Sequence, residues 1–117
     1  MTLSLSLPFP PSANNLFRNA GKKRVSTGAA LAYAKAVAQH VEALGDPKAP
    51  AGELRAVIAV WAPDLRRRDL VNLEKAPIDG LVKAGVMADD SLIVDFRIYR
   101  AGLDRQNPRI TVWMEAA

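Results

Sequence analysis

The sequence predicts an α+β domain, a mixed sheet with helices packed on it, in the order β-α-β-α-β-β. Three observations carry this. Four stretches have the period of two that marks a strand. Two others place apolar residues at helical spacing. The chain's 117 residues make residues 1–117 one domain, since domains cluster near ~100–150 residues.

The first strand is Leu3, Leu5 and Leu7, alternating with Thr2, Ser4 and Ser6 and ended by Pro8, Pro10 and Pro11, because proline cannot donate to a ladder. Residues 11–26, rich in Asn, Gly and Ser, read as a loop. Ser26 or Thr27 is placed to cap a helix running to about Leu44, with Ala30, Ala34, Val37, Ala38 and Val41 on one face. Gly45 and Pro47 stop it. Leu54, Ala56, Ile58 and Val60 alternate with Arg55, Val57, Ala59 and Trp61. Both sets are largely apolar, which marks a central strand.

The next helix is read over roughly 70–84, with Gly85 as its C-cap. Pro77 costs ~3 kcal/mol in a helix interior, so a kink or a later helix start is expected. Leu92, Val94, Phe96 and Ile98 alternate with Ile93, Asp95, Arg97 and Tyr99 in a further strand. Residues 101–108 read as a turn, and Ile110, Val112 and Met114 as the last strand, paired with the preceding one in a hairpin.

Composition narrows the chemistry. There is no cysteine, which excludes disulfides, thiolate catalysis and cysteine-held metal. One histidine, His40, removes His-rich metal sites, and it suits the dipole at a helix end. Ser26, Thr27 and Ser91 have no base partner visible in the sequence. No apolar run approaches the ~18–20 residues of a membrane span, and the N-terminus lacks the basic start of a signal peptide. A cytoplasmic location and no membrane partner are expected.

Sixteen Lys and Arg against twelve Asp and Glu leave a net charge of +4 and a pI near 9.8. The charge is clustered. Arg18, Lys22, Lys23 and Arg24 lie together, and Arg66, Arg67 and Arg68 are consecutive. Asp69 follows the triplet directly, and Asp89-Asp90 comes later. Cations hold phosphate and carboxylates hold metal, which is the pairing a metal-dependent nuclease requires. Each cluster taken singly also reads as a solvated surface.

Three constellations stand out. In Arg66–Lys75 the arginines end a central strand and Asp69 opens a helix, whose free N–H groups suit phosphate; Asp69 or Asn72 is equally placed to cap that helix. In Asp89-Asp90, adjacent carboxylates sit between a helix and a strand. One helix and a short return separate them from Asp69, so a hard cation with ligands from Asp69 and Asp90 is a topological possibility. In Pro8–Arg18, Asn14, Asn15 and Arg18 are placed to bond phosphates or bases, and Phe17 is read as core or as a stacking residue.

Together and in this order, these residues resemble the RusA family of phage and prophage Holliday junction resolvases. The likeness is carried by Leu7-Pro8-Phe9-Pro10-Pro11-Ser12 with Asn14-Asn15, by Arg66-Arg67-Arg68-Asp69-Leu70-Val71-Asn72-Leu73-Glu74-Lys75, by Asp79-Gly80-Leu81 with Lys83-Ala84-Gly85, and by Asp89-Asp90 with Val94-Asp95-Phe96-Arg97. It runs from about Leu3 to Thr111. The resemblance implies a small homodimer that binds four-way junction DNA and, with Mg²⁺, cuts two opposed strands symmetrically. The family's metal-site carboxylates fall on Asp69 and Asp90, its functional lysine on Lys75 and the arginine before the first Asp on Arg68. Arg66, Arg67, Arg68, Asn14, Asn15, Arg18 and Lys75 are then the expected DNA contacts.

One position departs. The family pattern Asp-x-Asp-Asn reads here Asp69-Leu70-Val71-Asn72. Valine offers a metal no oxygen. If the segment is extended, residues 69 and 71 point the same way; the start of a helix is the other reading. Junction binding with impaired cleavage is therefore expected of this chain. A junction-binding protein without cleavage is the alternative. A small basic RNA-binding domain is a third reading, and the repeated aromatic motif it would need on a sheet face is absent.

Overall fold

The computed structural model describes residues 2–117. Its elements are β1 (Thr2–Pro8), β2 (Phe17–Ala20), β3 (Lys23–Ser26), α1 (Gly28–Ala43), β4 (Leu54–Ala62), α2 (Lys75–Lys83), β5 (Ile93–Leu103) and β6 (Arg109–Ala116), with short 3-10 turns at Ala13–Asn15, Leu70–Leu73 and Asp90–Leu92. Four strands form one sheet in the order β1-β6-β4-β5. β4 runs parallel to β5 and antiparallel to β6, so the sheet is mixed and β4 is internal, as its two apolar faces require.

The last two strands do not form a hairpin. β6 lies on the far side of β4 and fills the space between β4 and β1, pairing Val112 with Leu5 and Ile110 with Leu7. Residues 104–108 are a crossing loop. Asp104 donates its backbone N–H to Ala62 O at 2.8 Å, over the end of β4. Its carboxylate accepts from the N–H groups of Gln106 and Asn107 and from Arg109 Nη1. The leucine stripe of β1 needs a paired neighbour, and β6 supplies it.

Residues 11–26 are more than a loop. Phe17–Ala20 and Lys23–Ser26 pair as a two-stranded ribbon, turned at Gly21, whose φ is 65°. A hairpin turn of this length favours glycine at its first position. The ribbon shows no apolar alternation because only Phe17, at its base, is packed on the core.

Thr27 caps α1, its Oγ1 accepting from Ala30 N–H at 3.1 Å. The face α1 buries is Tyr33, Val37 and Val41; Ala38 is exposed, contrary to its place in the expected stripe. The second helix starts late. Leu70–Leu73 is a 3-10 turn, and α2 begins at Lys75, so Pro77 falls in the first turn, where its missing N–H forfeits no bond. Gly85 ends the helix at φ 80°, with Val86 N–H bonding Leu81 O at 3.0 Å.

The helices cover one face of the sheet. Leu5, Leu7, Leu54, Ile58, Ile110, Val112 and Met114 meet Val37, Val41 and Leu81 in one core. The helices approach closely at Gly80, where a Cβ would lie 3.0 Å from Val37 Cγ2. Among the described residues no helix is long and apolar enough to cross a membrane.

Candidate active site

The site is assembled where β4 ends and the chain runs irregularly from Pro63 to Asp69. Asp64 organises this stretch. Its Oδ1 accepts from Arg66 N–H at 2.9 Å and from Arg68 Nη1 at 2.7 Å. The Arg68 bond, then the Arg66 N–H, lowers the Asp64 pKa from 3.8 to about 2. Arg68 also lies over the Phe9 ring, 5.3 Å from its centre, and its carbonyl accepts from Arg100 Nη2 at 2.9 Å.

The arginine triplet therefore divides. Arg68 is held, with 18% of its side chain exposed, against 77% for Arg66. Arg66 reaches Asp64 only at 3.7 Å. Arg67 is exposed. Two guanidiniums face solvent, and the third braces the loop that carries them.

Asp69 precedes the 3-10 turn, its carbonyl accepting from Asn72 N–H at 3.0 Å. Its carboxylate makes no cap bond. It lines a cleft of about 380 Å³ with Phe9, Pro10, Ser12, Asn14, Asn15, Arg66, Arg67, Arg68, Asn72 and Leu73. The Pro-rich wall is fixed from below: the buried Tyr33 hydroxyl donates to Pro8 O at 2.7 Å, and burial raises the pKa of that hydroxyl. Ser12 caps the turn bearing Asn14 and Asn15. The structure thus brings Asn14, Asn15, Arg66, Arg67, Arg68 and Asp69 to one cleft.

Lys75 and Asp90 share a different cleft, of about 300 Å³, with Glu74, Ile78, Asp79, Ile93 and Phe96. Lys75 Nζ is 3.2 Å from Asp79 Oδ2 and 5.9 Å from the centre of the Phe17 ring. In the acidic pair, Asp89 accepts from Ser91 Oγ at 2.6 Å, a bond that lowers its pKa. Asp90 opens a 3-10 turn and is exposed. Asp69 and Asp90 therefore line two clefts, and the segment from Asp69 to Lys75 runs from one to the other. No group of three or more His, Cys, Asp or Glu side chains is gathered to hold a metal among the described residues.

Val71 lies on the 3-10 turn, 66% exposed, and lines neither cleft. The chain here is a turn, so the alternation of an extended segment does not apply. Arg18 lies on β2, outside both clefts.

The donor chemistry suits a hard cation. Mg²⁺ takes oxygen ligands, keeps several waters and commonly uses one or two carboxylates with substrate phosphate. Asp69 offers a carboxylate beside the side chains of Asn14, Asn15 and Asn72, and Asp90 offers another.

Two contributors escaped the sequence reading. Asp64 had a local signal, a carboxylate four residues before Arg68. Arg100, 32 residues from its partner, had none, because only the parallel pairing of β4 with β5 brings it there.

The family model described as Endodeoxyribonuclease RusA matches residues 8–115. The chain is 40% identical over 100 residues to the crossover junction endodeoxyribonuclease RusA of Escherichia coli strain K12, covering 85% of this chain and 82% of that protein. It is 38% identical, over the same shares, to the proteins of that name from Enterobacteria phage 82 and Shigella sonnei strain Ss046.

Proposed function

Because the chain belongs to the RusA endodeoxyribonuclease family, we propose that it is a structure-selective, Mg²⁺-dependent nuclease that binds four-way DNA junctions as a homodimer and makes paired cuts, with Val71 holding cleavage well below binding. The observation that supports this best is the cleft at Asp69. A carboxylate without a cap bond shares the cleft with three arginines, of which Arg68 is already paired with Asp64.

The residues divide the work. Arg66 and Arg67 take the phosphates of the strand, and Arg68 positions them through Asp64 and Phe9. Asn14 and Asn15, held by the Ser12 cap, contact the same backbone. Asp69 in one cleft and Asp90 in the other are the carboxylates that would hold Mg²⁺, which when bound would lower the pKa of a coordinated water and offset the charge of the phosphate. Lys75, at the positive end of α2, adds a point charge to that phosphate. Val71 removes a carboxylate of the family pattern, and the remaining negative charge holds the cation weakly. Two sites related by a two-fold axis match the symmetry of a junction, which gives paired cuts.

A junction-binding protein without cleavage is the nearest alternative, and Val71 is the feature that favours it. The RNA-binding reading has less support. Of the aromatics on β4 and β5, Trp61 and Tyr99 already carry Arg109 and Arg97 over their rings, at 4.6 Å and 4.7 Å, and Phe96 packs against the core.

Competition among four-way junction, linear duplex and RNA, followed by cleavage of the junction under a Mg²⁺ titration, tests the proposal. The expected result is preferential junction binding that survives without metal, weak cutting at high Mg²⁺, and a dimer in sedimentation. Equal affinity for all three nucleic acids, or a 12.6 kDa species with and without junction, would contradict it.

A further inference from the structure

The basic cluster at Arg18, Lys22, Lys23 and Arg24 is not part of either cleft. It forms a ribbon of its own. In β2 and β3, Arg18 pairs with Val25, Asn19 with Arg24 and Ala20 with Lys23. Opposite residues of a strand pair share a face, so Arg18 and Lys23 lie on one face, Arg24 lies on the other and Lys22 is at the tip. All four are exposed, and none makes an ion pair among the described residues. No acidic residue precedes Glu42 in the chain. Four like charges on a short hairpin repel one another. An isolated two-stranded hairpin is at best marginally stable.

The base of the ribbon fixes its direction. Leu16 is buried, and Phe17 packs against the core. The Phe17 ring carries Arg24 at 4.2 Å and Lys75 at 5.9 Å. Asn15, which lines the cleft of Asp69, lies two residues before β2. The ribbon therefore leaves the body beside both clefts, and its cations extend the line of positive charge begun at Lys75.

We propose that the β2–β3 hairpin is a separate DNA-gripping arm that lays its cations along the phosphates of a duplex arm leaving the junction. This rests on the reading of the chain as a junction-binding nuclease and adds a second DNA-binding surface to it. The chemistry favours duplex phosphate over other polyanions. Protein interfaces are built on an apolar centre, and the ribbon's exposed surface offers none. Single strands bind by stacking on exposed aromatics, and the ribbon's one aromatic is packed at its base. A two-stranded ribbon with cations on both faces and at its tip suits the groove of a duplex, flanked by phosphates on either side.

The test compares the full chain with its Arg18→Gln, Lys22→Gln, Lys23→Gln variant, leaving Arg24 on Phe17 so that the hairpin keeps its base. Affinity is read against salt on a junction with long arms and on one whose arms are trimmed back to the crossover. The variant's log–log slope should be shallower by about 0.9 for each phosphate no longer neutralised, about 2–3 in all, on the long arms only. In the unsubstituted protein, amides of residues 18–25 should exchange more slowly when the long-armed junction is bound. An unchanged slope, a difference that persists on trimmed arms, or unchanged exchange would each overturn the proposal. Should the chain bind linear duplex as well as junction, the functional reading fails, while the slope on linear duplex still tests the ribbon.

Discussion

Between the sheet and its helices, Leu7, Leu54, Ile58, Leu81, Ile110 and Met114 are fully buried, and among the described residues no charged side chain is buried with them. In the stretch from Asp64 to Lys75, order comes instead from charged groups at the surface: Asp64 with Arg66 and Arg68, Arg100 on the Arg68 carbonyl, Lys75 with Asp79. The core is held by shape. The site is held by directed bonds, and it keeps Asp69, Arg66 and Arg67 available to a ligand. Substitutions in the first region should change stability, and substitutions in the second should change binding.

The largest expected effect is in the core. Leu81→Ala removes a side chain with no exposure and should destabilise the fold by ~2–5 kcal/mol, measured by denaturant unfolding. A loss below ~1 kcal/mol would mean that α2 is not locked to the sheet. Gly80→Ala should cost ~1–3 kcal/mol, because its methyl would meet Val37 Cγ2 at 3.0 Å. Relief by Val37→Ala in the double variant would show that this close approach is the cause.

At the site the order reverses. Arg66→Ala with Arg67→Ala should leave the melting temperature unchanged and flatten the salt slope of junction binding by about 1.8. Arg68→Ala should lower both affinity and local order, since that side chain braces the loop. Equal behaviour of the three arginines would erase the distinction between them.

The smallest effect is a titration. The Asp64 pKa, about 2 against an ordinary 3.8, is depressed in the folded state. The stabilisation it reflects is present above pH 3.8 and is lost as pH falls through 2. Carboxyl NMR should place the Asp64 midpoint near 2, and Arg68→Gln should raise it toward 3.8. A midpoint already near 3.8 would show that the brace does not form.

The same contrast explains what the sequence made legible. Buried strands and helices write their period into the chain, so β1, α1, β4 and the α+β class were readable; the mixed sheet was expected from a β5–β6 hairpin that does not form, and it arises from β4 running parallel to β5 and antiparallel to β6. Pairing across the sheet is not periodic. Nothing in residues 101–108 announced that β6 would cross to the far side of β4, because the Asp104 bonds that steer the loop look like those of any polar turn. The β2–β3 ribbon was invisible for the complementary reason: an element that packs on the core only at its base leaves no alternation. At the site, residue types and their order pointed to Asp69, Lys75, Asp90 and the arginines through resemblance. Their distribution between two clefts, and the bracing by Asp64 and Arg100, depend on bonds between distant segments.

In the proposed function, binding and cleavage part at Val71, an exposed apolar side chain on the turn between the two clefts. The direct measurement is junction cleavage by the chain and by its Val71→Asp variant, at saturating DNA, across a Mg²⁺ titration. The variant should cut faster and at lower Mg²⁺, with junction affinity little changed because binding rests on the cations, and adding Asp69→Asn should abolish cutting again. Equal cleavage rates with and without the substitution would mean that residue 71 has no part in holding the metal, and the proposed division between binding and cleavage would be wrong.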